Sequence, residues 1–134
     1  LKATVTDKGL NTAESSISVT VDNPTVGRMY VWDISWGTAG PHLKSFITIR
    51  YDSDGDGVAE SSDSPVDGAT VYFTMADSGG NTKDFNGVTD SKGVVEFMWK
   101  NAPSGPITGT VTDITHSTYQ YYDALDYDNP DTSP

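Results

Sequence analysis

The chain has 134 residues, enough for one domain with a core of its own and too few for two. Its 8 basic residues face 19 acidic ones, a formal net charge of −11, and such a field repels phosphate backbones and anionic membrane surfaces, which excludes nucleic acid as a partner. Cysteine is absent, so neither a disulfide framework nor a thiolate site is available, and no apolar run is long enough to insert in a membrane as a helix.

In chain order, "LKATVTD" and "SSISVTVDN" flank "KGLNTAE" and predict a strand pair over residues 1–23. The chain begins at Leu1 without Met or a signal-peptide pattern, which reads as a mature or excised segment of something longer. Then come "RMYVWDISW", "SFITIRYD", "ATVYFTMAD", "GVTD", "GVVEFMWK", "ITGTVTDIT" and "TYQYYDAL", separated by turn signals such as "DGDG", "SGGN" and "NAPSGP". No window keeps a helical period. Short strands at this spacing predict an all-β fold, an antiparallel β-sandwich over residues 24–134. Alternation places Ala69, Val71, Phe73 and Met75 on one inward face and Val95, Phe97 and Trp99 on another. In "YVWDISW", Tyr30, Trp32, Ile34 and Trp36 are expected to share a face.

The stretch "YDSDGDGVAESSD" crowds acidic residues around glycine. A calcium loop wants oxygens at positions 1, 3, 5, 7, 9 and 12, with glycine at 6 for the sharp turn. Counting from Asp52 supplies Asp52, Asp54, Asp56, the carbonyl of Val58, Glu60 and Asp63, with Gly57 at the sixth place. The last position carries Asp where the helix-loop-helix motif has Glu, so affinity on the order of 10⁻⁴ to 10⁻³ M is expected, tighter if Asp67 or the C-terminal Asp residues assist. The flanking segments read as strands, so the loop joins strands and not helices. The plain alternative is a solvated acidic turn.

A second acidic group, Asp123, Asp126, Asp128 and Asp131, has no spacing that defines a loop of this kind. It reads either as a solvated terminus or as a second ion site completed by Asp33 or Asp113. His42 and His116 stand alone, and neither a nucleophile turn nor a zinc or phosphate motif occurs, so no catalytic residue is assigned and a non-enzyme is expected.

The segment "DSPVDGATVYFTMADSGGNTKDFNGVTDSKGVVEFMW" resembles the immunoglobulin-like modules of bacterial and archaeal secreted and surface proteins, through Val66–Asp67–Gly68–Ala69 at a strand start and Thr89–Asp90–Ser91–Lys92–Gly93 at a turn. The resemblance covers roughly residues 28 to 116. Residues 1–23 resemble the last strands of a preceding module, with "VTVDNPT" as linker. Such modules follow the catalytic domains of subtilisin-like proteases or build adhesins and surface layers, so the resemblance implies an extracellular setting. Three functional classes follow. The first is a calcium-stabilised structural module whose partners are the ion and neighbouring domains. The second is a filament or adhesin subunit joined by strand exchange at sheet edges. The third, a polysaccharide-binding module, would stack sugars on Trp32, Trp36 or the tyrosines of "YQYY".

Overall fold

The computed structural model describes residues 27–134; the strand pair expected over residues 1–23 lies outside the described residues. Strand β1 (Arg28–Ala39) turns at Gly40–Pro41 into β2 (His42–Tyr51), and the two pair antiparallel along their whole length. The far edge of β2 holds a two-residue β3 (Ser64–Pro65) at one end and, over Leu43–Thr48, a later strand, β6 (Val94–Trp99). Between those two in sequence, β4 (Thr70–Asp77) and β5 (Thr82–Val88) form a hairpin that starts the second sheet. Strand β7 (Ile107–Thr115) pairs with β4. The short β8 (Gln120–Tyr121) runs parallel beside β1, and β9 (Asp131–Thr132) closes on β7. The result is an all-β sandwich of two predominantly antiparallel sheets, as the sequence predicts.

Alternation explains the core. Met29, Val31, Ile34, Ile47 and Ile49 project from the first sheet, and Val71, Phe73, Met75, Val111 and Ile114 from the second. All are buried. Phe73 and Phe97 stack across the interior with centroids 5.5 Å apart, which joins the two layers. Full burial of each such side chain contributes roughly 1.5–3 kcal/mol. Of the seven predicted inward residues, Trp99 alone sits at the margin, half-buried against the cluster.

One expectation is corrected. Val31 lies opposite Ile49, yet Asp33 lies opposite Thr48, so Trp32 is the extra residue of a β-bulge. The slip resets the alternation, because side-chain direction follows position in the pleat. Ile34 and Trp36 therefore pack with the core, whereas Tyr30 and Trp32 belong to the outer face, and the four do not share a side.

Two other elements differ from the sequence reading. "GVTD" is only the end of a seven-residue strand, Thr82–Val88, whose mostly exposed, polar side chains carry a weak strand pattern. "TYQYYDAL" gives only the two residues of β8 before a 3₁₀ turn over Asp123–Leu125.

The chain from Tyr119 to Pro134 forms a strap across one side of the sandwich. Gln120 and Tyr122 donate their amides to the carbonyls of Gly27 and Met29, and Tyr127 donates to Val31, each at 2.9 Å. At its other end Ser133 bonds Ile107 of the second sheet in both directions, through its amide (2.8 Å) and its Oγ (2.9 Å).

The turn between β5 and β6 has the tightest backbone requirement. Gly93 has φ +76° and a Cβ there would lie 2.5 Å from the Ile49 carbonyl oxygen, while its own carbonyl accepts the Ile49 amide at 2.7 Å. Gly93→Ala meets main chain that cannot move aside, and a cost of about 3 kcal/mol is expected from left-handed strain plus the clash. Gly80 has φ +92° with nothing near its missing Cβ, so Gly80→Ala should cost only about 1–2 kcal/mol of strain. Urea denaturation of both variants checks the ranking; equal losses would contradict it.

Candidate metal centre

The loop from Asp52 to Asp63 connects β2 to β3, and its two ends are held by the fold. Asp52 donates its amide to the Arg28 carbonyl at 2.9 Å. Its carboxylate then accepts the amides of Gly55 (3.0 Å) and Gly57 (2.7 Å). Both glycines have positive φ, +74° and +77°, which lets the chain curl around that carboxylate. Asp63 closes the loop: its Oδ1 accepts the Ser53 amide (3.2 Å), and its Oδ2 accepts the Glu60 amide (3.2 Å) and the hydroxyl of Tyr30. Tyr30 is fully buried, and burial first, then this bond to Asp63, raises its hydroxyl above the usual tyrosine range.

Between the fixed ends, Asp54 and Asp56 turn their carboxylates back onto the amides two residues ahead, at 3.2 and 2.9 Å. Two carboxylate groups result: Asp52, Asp54 and Asp63, and Asp54, Asp56 and Glu60, each with oxygens within 4.8 Å of one another. Asp54 belongs to both. The structure thus brings together all five carboxylates singled out in the sequence. Val58, the expected carbonyl ligand, enters the loop through its amide, which is the donor to Asp56, and its side chain is exposed. Asp67 stands apart: it is exposed, its carbonyl is bonded to His116 Nε2 at 2.8 Å, and it joins neither group.

Electrostatics follows from this crowding. Burial raises Asp52, helped by the hydrogen bond it shares with Asp54 and by the charges of Asp63 and Asp56. The hydrogen bond to Asp54 raises Glu60. Asp54 is lowered, chiefly by the Asp56 amide it accepts. Crowding thus makes it costlier to ionise Asp52 and Glu60, and a nearby cation would offset that cost. An all-oxygen, multi-carboxylate donor set is what hard divalent cations take, whereas zinc and copper favour nitrogen and sulfur.

The second acidic group is put to a different use. Asp126 Oδ1 accepts the Val31 amide (2.8 Å), Asp128 Oδ2 the Ile34 amide (3.0 Å), and Asp131 Oδ2 the Trp36 indole N–H (3.0 Å). Asp126 Oδ2 also accepts Tyr121 Oη and Asn129 Nδ2. These carboxylates dock the strap on the bulged strand, and among the described residues they form no close carboxylate group with Asp33 or Asp113. Asp33 lies near enough to Asp128 and Asp131 that burial and then their charges raise its carboxyl. Sequence reasoning missed this role because the donors on β1, two main-chain amides and an indole, lie about 95 residues away.

The remaining candidates have structural partners. His42 Nδ1 accepts the Asn101 amide (3.0 Å), and His116 bridges the Asp67 carbonyl and the Thr118 amide. Trp32 is stacked between the Tyr127 ring, 4.7 Å away, and the Arg50 guanidinium, 4.6 Å from its centre. Trp32 thus packs against a ring and a guanidinium, while Trp36 packs on the core cluster and donates its indole to Asp131. No family model, curated protein or solved structure matches the chain, and the site is read from its own geometry.

A pH dependence follows for cation binding. Because Asp52 and Glu60 are raised in the fold, the stability they contribute without an ion is present in full below the ordinary carboxylate range and lost as pH rises through their raised values. A cation offsets the same repulsion and competes with protons for these carboxylates as pH falls. The gain in Tm from excess calcium over excess chelator should be largest near about pH 7 and shrink by about pH 5, before ordinary carboxylates titrate. A gain that stays constant over that interval would contradict the assignment of these groups as ligands.

Proposed function

We propose that the protein is a non-catalytic, calcium-stabilised, immunoglobulin-like structural module of a larger extracellular or cell-surface protein. The observation that carries this reading is the convergence of four carboxylates on a fifth, Asp54, within a twelve-residue loop whose first and last members, Asp52 and Asp63, are buried. Calcium is favoured among hard cations because it accepts many carboxylates in irregular geometry, whereas magnesium demands a near-ideal octahedron and keeps its waters. Asp52, Asp54, Asp56, Glu60 and Asp63 would hold the ion, with the Val58 carbonyl as a further ligand. Its charge would offset the repulsion among the loop carboxylates.

Strand order supports the immunoglobulin-like part. Strand β2 lies between β1 and β6, as strand B lies between A and E in that fold, and β4, β7 and β9 follow one another as C, F and G do. A chain without cysteine gains from a metal what a disulfide supplies elsewhere, the closure of a long loop. Extracellular calcium is abundant enough to fill a site of modest affinity.

Excess calcium should raise stability by about 2.7 kcal/mol at a hundredfold excess over Kd, or roughly 10 °C in Tm. Asp56→Ala should abolish that gain while leaving the chelator-treated protein unchanged, because Asp56 is exposed and bonds only within the loop. Asp63→Ala should also cost about 1–3 kcal/mol in chelator, since it strands the Tyr30 hydroxyl. Asp84→Ala, in the edge strand β5, should retain the calcium response. Identical melting curves in calcium and chelator would refute the proposal.

A second reading, a subunit that joins its neighbours by strand exchange, is favoured by β5 and β6, each of which has one strand partner among the described residues. Sedimentation of the full chain and of a chain beginning at Thr25 tests it. Self-association confined to the full chain would make residues 1–23 the connector, and two monomers would remove this reading.

A further inference from the structure

The sequence contains two arginines, Arg28 and Arg50, and the fold places both between the acidic loop and the strap. Arg50 lies opposite Tyr30 in the β1–β2 register and so shares the outer face. Its Nη1 donates to the Ser61 carbonyl at 2.8 Å and approaches the Glu60 carbonyl at 3.5 Å, both within the loop. The face of the same guanidinium covers the Trp32 ring, and Trp32 stacks in turn on Tyr127 of the strap. Arg28 makes a parallel link: its carbonyl accepts the Asp52 amide, and its guanidinium lies 5.3 Å from the centre of the Tyr122 ring, also in the strap. Among the described residues neither arginine forms an ion pair with a loop carboxylate, although six acidic side chains lie between positions 52 and 67.

We propose that cation occupancy of the 52–63 loop controls the docking of the 119–134 strap, through the stack Ser61 carbonyl–Arg50–Trp32–Tyr127 and the parallel contact of Arg28 with Tyr122. This rests on the cation reading of the loop. With the loop carboxylates engaged by an ion, residues 60–63 are fixed, and the carbonyls that hold Arg50 are fixed with them. The guanidinium then stays on Trp32, which presents a rigid face to Tyr127. Without the ion, unneutralised carboxylates compete with those carbonyls and ring faces for the two guanidinium groups, since a charged acceptor binds them more strongly than a neutral one. The strap then loses its support on this side. Coupling of this kind is reciprocal: whatever factor calcium adds to strap docking, the docked strap adds to calcium affinity.

Two readouts on the full chain separate this proposal from the one it rests on: calorimetry for calcium binding, and hydrogen exchange for the strap. The expected result is that saturating calcium slows exchange of the Tyr122 and Tyr127 amides about threefold to tenfold more than it slows the amides of the β4–β5 hairpin. Tyr127→Ala, at a side chain 67% exposed, should leave the fold intact, cancel that selective protection, and weaken calcium affinity by the same factor. Trp32→Ala should do the same from the other side of the stack. Calcium binding accompanied by equal slowing of strap and hairpin, or an unchanged affinity in both variants, would overturn the coupling and leave the cation site standing. Absence of heat from calcium binding would overturn the site, and the coupling with it.

Discussion

The one-residue bulge at Trp32 is the constraint on which the rest of the structure depends. A regular β1 would keep a single alternation from Met29 to Trp36. The bulge instead lets Val31 and Ile34, three residues apart, both point into the core, and it brings Trp36 in with them. It also resets which amides of β1 face the strap: Asp126 accepts the Val31 amide on one side of the bulge and Asp128 the Ile34 amide on the other. A buried or half-buried amide without a partner is costly, so the bulged edge of β1 presents the need that the C-terminal carboxylates meet.

The same residue type thereby serves two opposite electrostatic arrangements. In the strap each aspartate is spread onto its own donor: a main-chain amide, an indole or a phenol. In the loop the carboxylates face one another, and their main-chain amide partners lie within the same short segment. The first arrangement is satisfied as it stands, whereas the second gathers negative charge that calls for a counter-charge. Tyr30 ties the loop to the outer face of the first sheet, since its ring is buried there while its hydroxyl reaches Asp63.

Much of this was legible in the sequence where chemistry is local. The inward sets Ala69–Val71–Phe73–Met75 and Val95–Phe97 follow from a period of two, and the five loop carboxylates from alternate spacing about Gly57. The turn at Asp90 and Gly93 was equally plain, because a left-handed position asks for glycine and an aspartate there caps the amides of Lys92 and Val94. What escaped is non-local. Nothing in "YVWDISW" marks the extra residue, since a bulge is defined by the partner strand. Strand β5 escaped because "TKDFNGV" has one apolar anchor, Phe85, on an otherwise exposed edge. The strap's carboxylates looked like a solvated tail because their donors come from β1, far away in the chain.

The strap ends the two sheets in an unusual way along one side. Asn129 binds Val111 through both ends of its side-chain amide, its Oδ1 taking the Val111 amide at 2.9 Å and its Nδ2 reaching the Val111 carbonyl at 3.1 Å, as a neighbouring peptide group would. On β1, Asp126 and the Tyr127 amide do the same for Val31. A side chain that imitates a peptide bond has no second edge to offer, so it acts as a chain terminator for the ladder. Among the described residues, β1 and β7 are thus covered by the strap on one side of the sandwich, while β5 and β6 on the other side each keep a single strand partner. An edge strand that meets side chains in place of another backbone is capped without being lengthened, so the strap closes this side of both sheets with four polar groups of its own.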